Sequence, residues 1–141
     1  MEDKIASASK ALSNDQPERA RRLLEQALRG DPSNVKALWM MARLRESRGE
    51  ISEWLDTLAK LKEVLPDELG VIDELARAYA KAKRPPESAS LYRDFLQRKP
   101  DSTNARFNYA YYLSRSGEYE ESISQYKLVL EQKIEKPEEI H

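Results

Sequence analysis

Acid–base chemistry in this sequence would have to come from carboxylates. The chain has 25 Asp and Glu residues, a single histidine at position 141 and no cysteine. The adjacent acids Glu120 and Glu121, and again Glu138 and Glu139, come nearest to an acid/base couple. A catalytic carboxylate needs burial or a charged neighbour to shift its pKa, which a solvated helix face does not provide. We interpret both pairs as solvated and predict that the chain is not an enzyme.

Residues for nucleophilic catalysis, metal binding and phosphate binding are equally scarce. One histidine and no cysteine cannot supply a Ser-His-Asp or Cys-His arrangement, nor the usual ligands of zinc. The glycines are too scattered to form a Walker loop or a dinucleotide-binding fingerprint. They are Gly30, Gly49, Gly70 and Gly117. The sequence therefore predicts no metal and no cofactor.

Composition and charge narrow the class of protein further. A length of 141 residues with 40% hydrophobic and 35% charged residues is typical of one soluble domain and argues against membrane insertion. The 24 Lys and Arg residues are interspersed with the 25 acids, so the sequence predicts no nucleic-acid surface. Because cysteine is absent and the first residues do not resemble a leader peptide, we expect a cytoplasmic location.

Recognition chemistry is better represented than catalytic chemistry. Trp39 and Arg43 are four residues apart, as are Phe107 and Tyr111, so each pair would share one face of a helix. Exposed aromatic and Arg side chains of this kind dominate the energetics of protein–protein binding. The alternative is that Trp39 and Phe107 are core residues of slightly rotated helices.

The elements that position these pairs repeat along the chain. Two series of residues recur every 34 positions, which is the signature of a helical repeat array. Each proline of the first series would end one helix, and a Ser, Asp or Asn after it can cap the next. Each alanine of the second series would let two helices approach closely. The series are Pro32, Pro66 and Pro100, and Ala8, Ala42, Ala76 and Ala110.

Each 34-residue unit divides into two helices. Gly49 and Gly117 mark the turn between them, and Asp15 and Lys83 stand at the equivalent places of the other units. The apolar stripe of each second helix passes through Leu24, Leu58, Tyr92 and Tyr126. The predicted helices cover roughly 2–13 and 17–30, 34–48 and 51–64, 68–82 and 86–98, and 102–115 and 118–132.

The fourth unit carries a family resemblance. Residues 107–113 read Phe-Asn-Tyr-Ala-Tyr-Tyr-Leu, and residues 116–123 read Ser-Gly-Glu-Tyr-Glu-Glu-Ser-Ile. Both segments resemble the tetratricopeptide repeat consensus. The resemblance implies an all-α fold, a right-handed α-solenoid of four antiparallel helix-turn-helix hairpins. We expect a single domain over 1–133, with repeats at roughly 1–33, 34–67, 68–101 and 102–134.

Two parts of the chain depart from the family pattern. Trp54 and Arg45 stand where the family usually has Ala and Tyr, which predicts a shifted or splayed helix in the second hairpin. Residues 134–141 form a tail or the start of a truncated further helix, since Pro137 suits a first helical turn. We therefore expect that the chain is a fragment and that the far face of its last hairpin is bare.

The resemblance also implies where a ligand binds. In the family, the first helices of the hairpins line a concave groove. The chaperone-tail clamp of that groove is missing, because Ile5 and Ser9 replace its Lys-Asn pair and Gly70 and Glu74 replace its basic pair. The groove residues expected here are Trp39, Met40, Arg43, Asp73, Arg77, Lys81, Phe107, Asn108, Tyr111 and Arg115.

Two functions are compatible with this sequence. The first is a non-catalytic adaptor or scaffold that holds a peptide or helix of a protein partner in the groove. The alternative is a structural or self-association arm of a larger protein, with contacts through the bare C-terminal face. Its catalytic domain would lie outside this chain. A sulfotransferase is one example, since the last unit is similar to repeat arrays that precede such domains.

The 34-residue register, which places the alanine series between the two helices of each hairpin, yields a first testable prediction. A bulky residue in place of Ala76 or Ala110 is expected to overpack the hairpin and to lower the free energy of unfolding by about 1–3 kcal/mol. The same change at Ser102 is expected to be nearly silent. Urea denaturation of the variants measures both effects, and equal losses at both places would contradict the register.

Overall fold

The computed structural model describes residues 2–135, and among them it contains eight α-helices and no strand. The predicted helices are confirmed with small shifts at their ends, the largest being three more residues at the end of α8. The prediction for residues 136–141, including Pro137, lies outside the described residues. The helices are α1 Glu2–Ser13, α2 Pro17–Gly30, α3 Val35–Ser47, α4 Ile51–Val64, α5 Leu69–Lys81, α6 Pro85–Arg98, α7 Thr103–Arg115 and α8 Tyr119–Glu135.

These helices form two compact units that divide between Val71 and Ile72. The N-terminal unit contains α1 to α4, and the C-terminal unit contains most of α5 together with α6 to α8. Consecutive helices pack as hairpins within each unit, α1 on α2, α3 on α4 and α7 on α8. No helix among the described residues is long and apolar enough to cross a membrane. The single domain over 1–133 stays a prediction.

The turn inside every hairpin has the same backbone geometry. Asp15, Gly49, Lys83 and Gly117 all adopt a positive φ, between 58° and 82°. The next residue donates its amide hydrogen to the carbonyl five positions back, as Gln16 does at 2.8 Å. This is the left-handed helix end that glycine favours, and it reverses the chain tightly. The predicted equivalence of the four positions is therefore confirmed.

Short proline turns connect one hairpin to the next, as the spacing predicts. Asn34 and Ser102 follow two of these prolines and cap the next helix, accepting from the amides of Ala37 at 2.9 Å and Ala105 at 3.2 Å. The expectation that Ser102 tolerates a bulky residue silently is therefore wrong, since losing a cap costs about 1 kcal/mol. Ala59, an exposed residue inside α4, is the appropriate reference for the overpacking experiment.

Small buried residues hold the helices of each hairpin together. Ala8, Ala42, Ala76 and Ala110 are at most 2% exposed, which confirms their place in the core. In the C-terminal unit the second helices approach so closely that serine hydroxyls reach the carbonyl groups of these alanines. Ser88 Oγ donates to Ala76 O at 2.6 Å, and Ser122 Oγ donates to Ala110 O at 2.7 Å.

The second hairpin differs at the position of these serines. Trp54 stands 34 residues before Ser88 and is 1% exposed, so a buried indole replaces a small hydroxyl there. Arg45 lies beside Glu50, 3.7 Å from Nη1 to Oε1, at the turn of the same hairpin. Both departures from the family pattern are thus accommodated at the core and the turn, and the predicted splaying of the helices stays a prediction.

The last helix leaves apolar side chains in solvent. Tyr119, Ile123, Leu130 and Ile134 are between 54% and 78% exposed. Their spacing places them on one face of α8, next to the face that contributes Ser122 and Val129 to the core. An exposed apolar stripe on the last hairpin agrees with the expectation of a bare face.

Candidate binding site

Eight of the ten expected groove residues fall into two clusters, one in each compact unit. The first cluster, which we call the α3 hollow, encloses about 550 Å³ on the surface of α3. Trp39 is partly exposed there and Arg43 is exposed, whereas Met40 packs against buried core residues. Trp39 is therefore a surface residue of its helix. The hollow is lined by Val35, Lys36, Trp39, Met40 and Arg43.

The second cluster, which we call the tyrosine hollow, lies in the C-terminal unit and encloses about 350 Å³. Helices α5, α6 and α7 all contribute side chains to it. It brings together most of the groove residues expected on α5 and α7, but it adds tyrosines that the sequence analysis assigned to other roles. The lining residues are Asp73, Glu74, Arg77, Tyr92, Phe107, Asn108, Tyr111 and Tyr112.

A hydrogen-bonded carboxylate connects the three helices of the tyrosine hollow. Tyr92 on α6 donates its hydroxyl hydrogen to Asp73 Oδ1 on α5 at 2.6 Å. Asn108 on α7 donates from Nδ2 to the same oxygen at 3.4 Å. Burial, and next the hydrogen bond to Asp73, raise the pKa of Tyr92 far above its usual value. Tyr92 is a neutral donor at physiological pH, as an unperturbed tyrosine also is, and the raised pKa extends this state to more alkaline pH. Its hydrogen bond fixes the position of the carboxylate.

Aromatic rings form much of the rest of the hollow. Tyr112 stacks on Tyr92 with ring centroids 5.9 Å apart, and Tyr111 meets Tyr112 edge to face at 5.0 Å. Phe107 meets Tyr126 of α8 edge to face at 5.4 Å. Phe107 is nevertheless 48% exposed and Tyr111 is 40% exposed. The alternative of a core role for Phe107 is therefore wrong, and both rings are available to a ligand.

The charged residues around the hollow are mostly paired with neighbours on their own helix. Arg77 Nη2 lies 2.7 Å from Glu74 Oε2. Arg115 donates from Nη1 to the Tyr111 hydroxyl at 2.9 Å and lies over the Tyr111 ring, 5.8 Å from its centroid. Arg115 and Lys81 are outside the set of residues that line the hollow. The two basic residues expected at the ends of α5 and α7 are thus not brought together with the rest.

Tyr92 lines the tyrosine hollow, although the sequence pattern placed it only in the apolar stripe of its helix. The stripe has leucine at positions 24 and 58 but tyrosine at 92, and a buried hydroxyl needs a partner. Nineteen residues earlier stands Asp73, where the other units have Ile5, Trp39 and Phe107. Ile5 and Leu24 are also 19 residues apart and belong to one core cluster, so residues at this spacing lie close together in the first hairpin as well. The change of residue type at both position 73 and position 92 of the same unit was the sequence signal for this contact.

Both hollows present side chains of the kinds that occur in protein interfaces. Aromatic faces, a fixed carboxylate and guanidinium groups are suited to stacking, hydrogen bonding and charge pairing. Among residues 2–135 there is no cluster of three or more acidic or histidine side chains able to hold a metal ion. Glu120 and Glu121 are both exposed, as their interpretation as a solvated pair requires.

Helical hairpins that recur along the chain define a helical-repeat protein, and comparison with known families identifies which kind. This chain belongs to the tetratricopeptide repeat family, since two tetratricopeptide repeat models match it, at residues 11–77 and 74–137. Members of this family are protein–protein interaction modules, typically without catalytic activity. The predicted all-α fold of antiparallel tetratricopeptide hairpins is thereby confirmed. No curated protein sequence matches the chain.

Solved structures give the same fold. A crystal structure of MamA matches with a TM-score of 0.75 at 15% identity, over 97% of this chain and 80% of that one. The MamA 41-end structure from Desulfovibrio magneticus RS-1 matches with a TM-score of 0.70 at 14% identity, over 92% of this chain and 73% of that one. YrrB, described as a TPR protein with an unusual peptide-binding site, matches with a TM-score of 0.69 at 22% identity, over 92% of this chain and 66% of that one. At these identities the likeness establishes the fold alone.

The hydrogen bond between Tyr92 and Asp73 can be tested by stability measurements. Tyr92→Phe removes the donor and leaves the carboxylate partly unsatisfied, so the free energy of unfolding is expected to fall by about 1.5–3 kcal/mol. Tyr126→Phe is the matched control, because the Tyr126 hydroxyl has no hydrogen-bond partner among the described residues. Urea denaturation is expected to show a change within about 0.5 kcal/mol for the control. Equal losses in the two variants would contradict a stabilising role of the Tyr92 hydroxyl.

Proposed function

We propose that this chain is a non-catalytic adaptor or scaffold module that holds a peptide or helix of a partner protein against its first helices. The observation that carries this proposal is that partly or largely exposed aromatic residues line an open hollow in each unit. Trp39 with Arg43 does so in the N-terminal unit, and Phe107 with Tyr111 does so in the C-terminal unit. Aromatic and Arg anchors of this kind contribute most of the binding free energy in protein interfaces.

The exposure of these side chains favours a polypeptide ligand over a small molecule. Small-molecule sites are concave and bury most of the ligand surface. Phe107 and Tyr111 instead project beyond their hollow, with 48% and 40% of their surface in contact with solvent. A peptide or helix that lies along α7 would cover these rings and bury their apolar area.

The proposal predicts which substitutions weaken binding. Peptides that bind the wild-type chain, selected from a displayed library of random 12-residue sequences, provide the probes. Trp39→Ala and Tyr111→Ala are each expected to weaken the peptides bound at their own hollow by about 2 kcal/mol, roughly thirtyfold. Fluorescence anisotropy measures the affinities.

The control for that experiment is Leu12→Ala. Leu12 of α1 is 36% exposed and lies outside both hollows and the α8 stripe, so its loss is expected to leave the affinities unchanged. Circular dichroism verifies that each variant is folded. The proposal is wrong if every selected peptide binds Trp39→Ala and Tyr111→Ala as tightly as it binds the wild-type chain.

A second candidate function is self-association, favoured by the apolar stripe on α8. A stripe on one helix face is self-complementary and suits a two-fold contact between copies. The first half of α8 contains Glu120 and Glu121 but no cation, whereas Lys127 and Lys133 of its second half balance Glu131 and Glu135. Antiparallel pairing of two α8 helices keeps the two acidic first halves apart and places each beside a half without net charge.

Light scattering after size-exclusion chromatography tests this second function. The wild-type chain is expected to increase in mean mass as its concentration rises, and the double variant Ile123→Glu, Leu130→Glu is expected to remain monomeric. Ser124→Glu adds a charge to an exposed position on another face of α8 and serves as the control. A wild-type chain that is monomeric at every concentration would remove self-association from consideration.

A further inference from the structure

The carboxylate of Asp73 has an oxygen that the described residues leave without a donor. Tyr92 and Asn108 both donate to Oδ1. No described residue donates a hydrogen bond to Oδ2 or forms a salt bridge with Asp73. The neighbouring acid Glu74 differs, because both of its oxygens accept from Arg77. Asp73 is therefore held in place by one oxygen, and the other is available to a ligand at the tyrosine hollow.

The rest of the tyrosine hollow suits a cation with an apolar stem. Phe107 presents a half-exposed ring, on which the methylene groups of a Lys or Arg side chain can pack. Arg115 already lies over the Tyr111 ring at 5.8 Å, so a guanidinium and an aromatic ring are compatible at this rim. The lining charges are two carboxylates and one guanidinium, which leaves a net negative charge.

The α3 hollow has the opposite electrostatic character. Its lining includes Lys36 and Arg43 and contains no acid. A basic side chain would be repelled there and attracted to the tyrosine hollow. The two hollows therefore distinguish ligands by charge, although both present an aromatic ring.

We propose that the tyrosine hollow takes a Lys or Arg side chain of the partner peptide, with its cation at Asp73 Oδ2 and its stem against Phe107. This inference rests on the proposed function and specifies its ligand. The cation donates a charge-assisted hydrogen bond to an oxygen that Tyr92 and Asn108 have already positioned. Little ordering of the carboxylate remains to be done on binding.

Peptides whose affinity depends on Tyr111 provide the test. They are expected to contain a Lys or Arg whose replacement by Gln weakens binding about tenfold. Asp73→Asn, which keeps an acceptor for Tyr92, is expected to weaken the parent peptide by the same factor and to leave the Gln peptide unchanged. Asp94→Asn removes an exposed charge from α6 outside the hollow and serves as the matched control.

Salt dependence supplies a measurement that needs no protein variant. Affinity for the basic peptide is expected to fall between about 0.05 M and 0.5 M salt, and affinity for the Gln peptide is expected to change much less. Tyr111-dependent peptides that lack Lys and Arg, or that bind Asp73→Asn as tightly as wild type, would overturn this inference and leave the proposed function intact. If no peptide depends on Trp39 or Tyr111, the proposed function fails and the inference fails with it.

Discussion

The close approach of two helices at one small buried residue is the contact on which each hairpin depends. Ala76 and Ala110 have almost no exposed surface, and serine hydroxyls of the following helices reach their carbonyl groups at 2.6 and 2.7 Å. A larger side chain at either alanine would separate the helices. Because the partner helix occupies this face of α5 and α7, other residues of α5 and α7 remain available to line the hollow.

The same turn geometry recurs in every unit of the sequence and allows the same packing of its two helices. A left-handed residue recurs every 34 positions, at glycine in two hairpins and at Asp15 and Lys83 in the others. The same reversal then brings residues 19 apart together, so that Asp73 meets Tyr92 and Phe107 meets Tyr126. The backbone repeats, while the side chains at the repeated contact change from apolar to hydrogen-bonded to aromatic. The residue types at these paired positions therefore make the surface of one hairpin chemically different from that of the next.

The tyrosine hollow acquires its chemistry from one exchange of residue types. Replacing leucine by tyrosine at position 92 brings a buried hydroxyl into the core, and Asp73 satisfies it. Burial raises the pKa of Tyr92 further above its usual value, so the carboxylate retains its donor even at alkaline pH at which an exposed tyrosine would ionise. Asp73 therefore stabilises the packing of three helices through one carboxylate oxygen, while the other oxygen accepts from no donor of the described residues.

The sequence by itself determined the repeat, the helices and the hairpins, because prolines, buried alanines and left-handed turn positions act locally and recur at a fixed spacing. It also predicted Trp39, Phe107 and Tyr111 as groove residues, with a core role left open for Trp39 and Phe107. Only the tertiary structure decided that Tyr92 and Tyr112 line one hollow with Phe107 and Tyr111, that Lys81 does not line it, and that Ser102 is a cap. Those outcomes depend on how side chains from different helices, or from a turn and a helix, meet. Such contacts follow from rotamers and cross-helix distances that a one-dimensional pattern does not contain.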